Sequence, residues 1–115
     1  MPSHLIPRGI RKVSPLIAAP VVGAAAVLYQ LTANRTVIIR KIMCYSNVGN
    51  CNVFIGAGLA GAFAAFMPTL YVVNLFDAEW TEDEIPEIEV AADITVESSI
   101  VGCQVMIEVE EIAGV

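Results

Sequence analysis

An antiparallel all-β sandwich, jelly-roll-like, with an extended N-terminal arm, is the fold this 115-residue sequence predicts. Three observations point to it. Residues 36–46, TVIIRKIMCYS, are dense in β-branched side chains. The C-terminal third alternates apolar and acidic positions with a period of two. Turn-forming residues recur at short intervals, which suits about seven short strands.

The elements follow in order. Residues 1–20 hold Pro2, Pro7, Pro15 and Pro20, with Gly9 among them, so regular helix is excluded there. They read as an extended arm, and residues 21–115 as the sandwich domain. Residues 21–29 suit a first strand, weakened by alanines. In residues 36–46 apolar side chains fall on both parities: Val37, Ile39, Met43 and Tyr45 on one, Ile38, Ile42 and Cys44 on the other. A strand of that kind is covered on both faces. Asn47-Val48-Gly49-Asn50 is a turn, and residues 51–55 return as its hairpin partner. Residues 56–66, GAGLAGAFAAF, read as a small-residue loop, and residues 69–76 as a further strand. Residues 77–87 form an acidic loop carrying Trp80 and Pro86. Ile88 and Val90, Ile94 and Val96, then Val105, Ile107 and Val109 alternate with polar positions, as half-buried antiparallel strands do.

Charge is segregated by sign. All six basic residues lie at or before Lys41, all twelve acidic residues lie at or after Asp77, and residues 42–76 carry none. The chain is 57% hydrophobic and 16% charged, against roughly 25% charged in an ordinary globular domain. Its mean hydropathy is +0.70. Excess apolar surface of this kind is covered by subunit interfaces or by lipid. A net charge of −6 argues against a nucleic-acid binder, and nothing pairs the short basic arm with aromatic stacking groups. Cys44, Cys51 and Cys103 are an odd set and suit reduced, buried side chains, with a Cys44–Cys51 bridge across the hairpin as the alternative.

Chemistry finds little to work with. Cys44, Cys51, Cys103 and His4 match no structural zinc spacing, and a single histidine in the arm leaves a nucleophilic cysteine without its base. No catalytic, metal or cofactor-binding residue is assigned, and an enzyme is not expected. Two other readings compete. Gly56-Ala57-Gly58-Leu59-Ala60-Gly61 matches a dinucleotide fingerprint, with Asp77 at a suitable distance. Pro68 falls where the following helix should still run, and the chain beyond Asp77 is patterned as antiparallel strands. Residues 53–76 form an uncharged stretch of 24 residues, long enough for a membrane span, but Pro68, Thr69 and Asn74 interrupt it.

From Leu28 to Ile112 the chain resembles small β-sandwich virion proteins of tailed bacteriophages, of the capsid decoration or cement type. The likeness runs through Leu28-Tyr29-Gln30-Leu31-Thr32-Ala33, the strand Val37-Ile38-Ile39-Arg40-Lys41-Ile42 and the turn Asn47-Val48-Gly49. It continues in Asn52-Val53-Phe54-Ile55-Gly56, Ala92-Asp93-Ile94-Thr95-Val96 and Val105-Met106-Ile107-Glu108-Val109-Glu110-Glu111. The alanine-rich loop at 56–66 and the proline-rich arm depart from that texture.

What the resemblance implies is a structural virion protein that clamps neighbouring capsid subunits. It implies a homotrimer on the capsid surface, made in the host cytoplasm. The expected partners are sister subunits and the major capsid protein or another virion protein, with no nucleic acid, membrane or cofactor. Arg8, Arg11 and Lys12 are the expected docking residues of the arm. Ile39, Met43, Phe63 and Phe66 are the expected subunit interface.

Overall fold

A computed structural model describes residues 9–113. Among them are ten strands and no helix. The first sheet contains β1 (Ile10–Val13), β2 (Ile17–Ala19), β4 (Arg35–Tyr45), β8 (Ala78–Trp80) and β10 (Cys103–Ala113). The second contains β3 (Ala26–Tyr29), β5 (Cys51–Ala57), β6 (Ala64–Ala65), β7 (Leu70–Val72) and β9 (Ile94–Ser98). Every pairing between named strands is antiparallel.

The connectivity is that of a jelly roll. β1 and β2 share one edge of β10, and β6 and β7 share one edge of β5. Each pair therefore fills one strand position. The sheets then read β1/β2-β10-β4-β8 and β3-β9-β5-β6/β7. First pairs with last, second with next-to-last, and so inward: β1/β2 with β10, β3 with β9, β4 with β8, β5 with β6/β7. One long hairpin rolled into two sheets gives this order. The expected all-β sandwich is the observed architecture.

The core lies between the sheets. Ile42, Val105, Ile107 and Val109 from the first sheet meet Val53, Ile55, Ile94 and Val96 from the second, all fully buried. The two parities of β4 have a physical cause that differs from the expected one. The register between β4 and β10 shifts between Glu108 and Val109, and Arg40 is the extra residue. Ile42 and Cys44 face inward on one side of this bulge, Val37 and Ile39 on the other, so one apolar face changes parity midway. Only Ile38, fully buried but outside the core cluster, is apolar and covered on the opposite face.

The N-terminal stretch is extended, and its described part lies along the edge of the first sheet rather than standing off from it. Proline forbids helix but tolerates an edge strand or a break in one. Ser14 and Pro15 make that break between β1 and β2. The Ser14 hydroxyl accepts the Ile107 N–H at 2.9 Å, and Ser14 N–H donates to the Ile107 carbonyl at 2.8 Å.

Residues 56–66 form a hairpin, which overturns the dinucleotide reading. Gly56 and Ala57 pair with Ala65 and Ala64, and no helix follows. A Cβ on Gly56 would sit 2.1 Å from the Ala64 carbonyl oxygen, and Gly58 adopts φ of 91°. These glycines serve a tight hairpin, not a pyrophosphate. Residues 53–76 hold strands and turns, and no helix among the described residues is long and apolar enough to cross a membrane. Residues 78–80 of the expected acidic loop are strand β8. The expected strand at Ile88 and Val90 is reduced to one bridge from Val90 to Val37.

Candidate interaction surface

The jelly roll sorts its connections between two ends. One end holds the described N-terminal residue Gly9, the C-terminal part of β10, and the β3–β4 and β8–β9 connections. Here the charges converge. β10 carries Glu108, Glu110 and Glu111 and lies between β1, with Arg11 and Lys12, and β4, with Arg35, Arg40 and Lys41. Segregation in sequence becomes alternation in space.

Arg40 and Glu110 are both buried. The Arg40 Nε and NH2 groups donate to Glu110 Oε1 at 2.9 and 2.7 Å, and its NH1 donates to Glu87 Oε1 at 3.0 Å. Burial works against the Arg40 charge, but the hydrogen bonds to Glu110 and Glu87 outweigh it and hold the guanidinium protonated. The Gly9 N–H donates to the other Glu110 oxygen at 2.7 Å. Glu111 turns to the inner side, as its alternation with Glu110 requires. It accepts from the Tyr29 hydroxyl, from Thr32 N–H at 3.2 Å and from Thr32 Oγ1 at 3.0 Å. Lys12 Nζ stands 3.3 Å from its other oxygen. Burial alone would raise the Glu111 pKa, yet these donors outweigh it and bring the carboxyl down to about 2. Tyr29 is pushed the other way, first by burial and then by Glu111.

The expected docking residues are thereby accounted for. Arg8 lies outside the described residues. Arg11 stands 3.6 Å from Glu82, and Lys12 is paired with Glu111. Their acidic partners belong to the same chain. Among the expected interface residues, Ile39 is buried in the core, which removes it from any outer surface. Phe66 is partly buried against that core, and Phe63 is half-buried beside the 56–66 hairpin. Met43 faces outward on β4, opposite Met106 of β10.

The other end was not anticipated. Four connections meet there, at residues 20–25, 46–50, 73–77 and 99–102. Hydrogen bonds tie them together. Leu75 N–H donates to the Ser46 carbonyl at 2.7 Å, Gly49 N–H to Asn74 Oδ1 at 3.1 Å, and Val22 N–H to the Ser98 carbonyl at 3.0 Å. The four connections contain one charged residue, Asp77. Glu97, buried beneath them, accepts the Gly23 N–H at 3.0 Å. Their apolar side chains point to solvent: Phe76 is 68% exposed, Val101 66%, Leu75 62%, with Val22 and Val48 close behind. The sequence signal was present in the turn residues VNLF and SIVG, where apolar side chains replace the polar ones usual in turns.

Beside this end, the outer face of the first sheet carries an open cavity of about 290 Å³. Met43, Tyr45 and Met106 line it, with Leu16 on one flank and Asp77, Glu79 and Gln104 around it. Beneath lie three buried free thiols, Cys44, Cys51 and Cys103. Burial, then the neighbouring Cys51, pushes the Cys44 thiol up to about 12. Burial and a hydrogen bond with Cys51 raise Cys103 as well. Such thiols are poor nucleophiles. Among the described residues no group of histidine, cysteine and acidic side chains is placed to hold a metal ion.

No family model matches the chain, and no curated protein does. A solved structure described as "Bacillus endospore appendages form a novel family of disulfide-linked pili" aligns with a TM-score of 0.49 at 11% identity. The alignment covers 94% of this chain and 94% of that chain.

Proposed function

We propose that this chain is a non-enzymatic structural protein of a virion, a capsid decoration subunit that clamps neighbouring shell subunits. The observation that carries the reading is the apolar loop end, with Asp77 as its single charge, on a body whose buried Arg40 and Glu110 pair with one another. A surface like this marks an association site. The bacteriophage reading draws its support from the resemblance across residues 28–112. Its partners are sister copies, three per assembly in the form the resemblance implies, and the major capsid protein. Its place is the capsid surface after synthesis in the host cytoplasm. No cofactor, nucleic acid or membrane enters the reading.

Docking falls to the loop end and its neighbouring cavity rather than to the arm, because Arg11 and Lys12 are committed to Glu82 and Glu111. The test is chymotryptic mass spectrometry across a density gradient of particles from cells that make this chain. Peptides such as 46–54, released by cleavage after Tyr45 and Phe54, co-banding with capsid shells are the expected result. The chain confined to the soluble fractions, with shells present and undecorated, would sink the virion reading.

A further inference from the structure

We infer that the loop end is where copies of this chain meet, and that Phe76 of one copy fills the Met43–Met106 cavity of the next. The inference rests on the structural reading above and names the occupant of that surface.

Three observations favour a second copy. The first is shape. An eleven-residue strand such as β10 spans about 36 Å at ~3.3 Å per residue, so the 40 Å axis of the molecule runs along the strands. The loop end closes the remaining 29 by 21 Å cross-section. Two facing ends of that size could hide at most about 1,200 Å², which reaches the lower bound of a specific interface. The second is charge. A copy carrying a net charge of −6 is repelled by another of its kind unless the acids are kept apart. Joining the loop ends places the Glu110–Glu111 network of each copy at the far pole and leaves Asp77 and Glu79 at the rim of the contact. The third is the pairing of knob and hole. Phe76, the most exposed large apolar residue described, directly precedes Asp77 and Ala78 at the rim of a cavity floored by two methionines. Methionine adapts to an inserted aromatic ring and makes favourable sulfur contacts with it. An exposed ring and an open apolar cavity on one molecule are complementary between copies. A reciprocal contact closes as a dimer, and a head-to-tail contact whose rotation closes forms a ring such as a trimer.

The experiment is sedimentation equilibrium of the wild-type chain, Phe76→Asp and Val101→Asp, each over a wide concentration range, with circular dichroism melts of the same samples. The wild type should associate to a dimer or trimer. Phe76→Asp should weaken that association at least about thirtyfold, the loss expected for an aromatic anchor worth 2 kcal/mol or more. Its melting curve should stay unchanged. Val101→Asp gives a second reading of the same surface should Phe76→Asp fail to fold. A wild type that is monomeric throughout overturns the inference, as does an oligomer that both folded variants leave intact. A monomer that still bands with capsid shells would reject this inference and leave the virion reading standing. A loop-end oligomer absent from shells would do the reverse.

Discussion

At one end of this sandwich Glu110 and Glu111 are fully buried, and at the other Phe76 and Val101 are two-thirds exposed. Charge has been moved inward where a water-facing rim would ordinarily carry it, and apolar surface has been moved outward. The charged end is held by groups that satisfy one another: Arg40 with Glu110 and Glu87, Tyr29, Thr32 and Lys12 with Glu111. Its buried Arg40 and Glu110 spend their hydrogen bonds within the chain. The loop end uses its Ser46, Asn50 and Asn74 side chains to tie the turns together and leaves its large apolar ones exposed. The comparison teaches that the basic strands and the acidic strand are fold determinants, and it is the apolar end that the proposed association uses.

The largest expected effect breaks the charged end. Arg40→Ala leaves Glu110 buried without its cation and should cost about 3–5 kcal/mol in urea unfolding. A double replacement, Arg40→Met with Glu110→Leu, removes both charges and should recover most of that loss. If Arg40→Ala costs less than about 1 kcal/mol, the value of an exposed pair, the burial of this network is wrong.

Acid provides the next effect. The Glu111 carboxyl is held at about 2, below its ordinary 4.5. A depressed carboxylate stabilises the fold fully above its unfolded value, and that contribution is lost as pH falls from about 4.5 towards 2. The shift corresponds to about 3 kcal/mol. Unfolding free energy measured from pH 6 to pH 2 should fall in that window, and Glu111→Gln should flatten the fall. A variant as acid-sensitive as the wild type would reassign the effect to other carboxylates.

Much of this was legible in the sequence. The β-branched run at 36–46 and the period-two alternation at 94–109 mark real strands, because burial on one face imposes both patterns. The bulge at Arg40 was not legible: a single unpaired residue leaves no local signature and only scrambles parity. Nor was the partner of each charge. The prolines at 7, 15 and 20 exclude helix equally for a free arm and for an edge strand, so β1 and β2 could not be placed beside β10. Of the expected interface residues Phe63 and Phe66, the Gly56 hairpin folds Phe66 back against the core and leaves Phe63 half-buried. Phe76 escaped notice because it sits between a strand and an acidic run, where only the gathering of four distant turns gives it company.

Smaller effects sharpen the contrast between the ends. Lys12→Gln touches an ion pair whose basic partner is 43% exposed, so its cost should be at most about 1 kcal/mol. It should leave self-association unchanged. If Lys12→Gln or Arg11→Gln abolished association while keeping the melting curve, the basic strand rather than the loop end would hold the contact. Substitutions such as Leu75→Ser lie on exposed surface and should alter folding stability by no more than about 0.5 kcal/mol, read from the same urea curves.

The smallest expected effect is that of salt, and it separates the two ends most cleanly. A contact between the charged strands of one copy and the acids of another would weaken steeply as salt rises, since exposed pairs beyond about 10 Å are screened at 0.1 M. A contact through the loop end is mostly apolar, and the Glu110–Glu111 network stands at the opposite pole of a 40 Å molecule, with only Asp77 and Glu79 near the contact. The association constant from sedimentation should therefore change little between low and moderate salt, and any change should be a rise, as screening relieves the mutual repulsion of the acids. A fall in proportion to added salt would return the interface to Arg11, Lys12 and their neighbours, and would mean that the pairs within one chain exchange for pairs between chains.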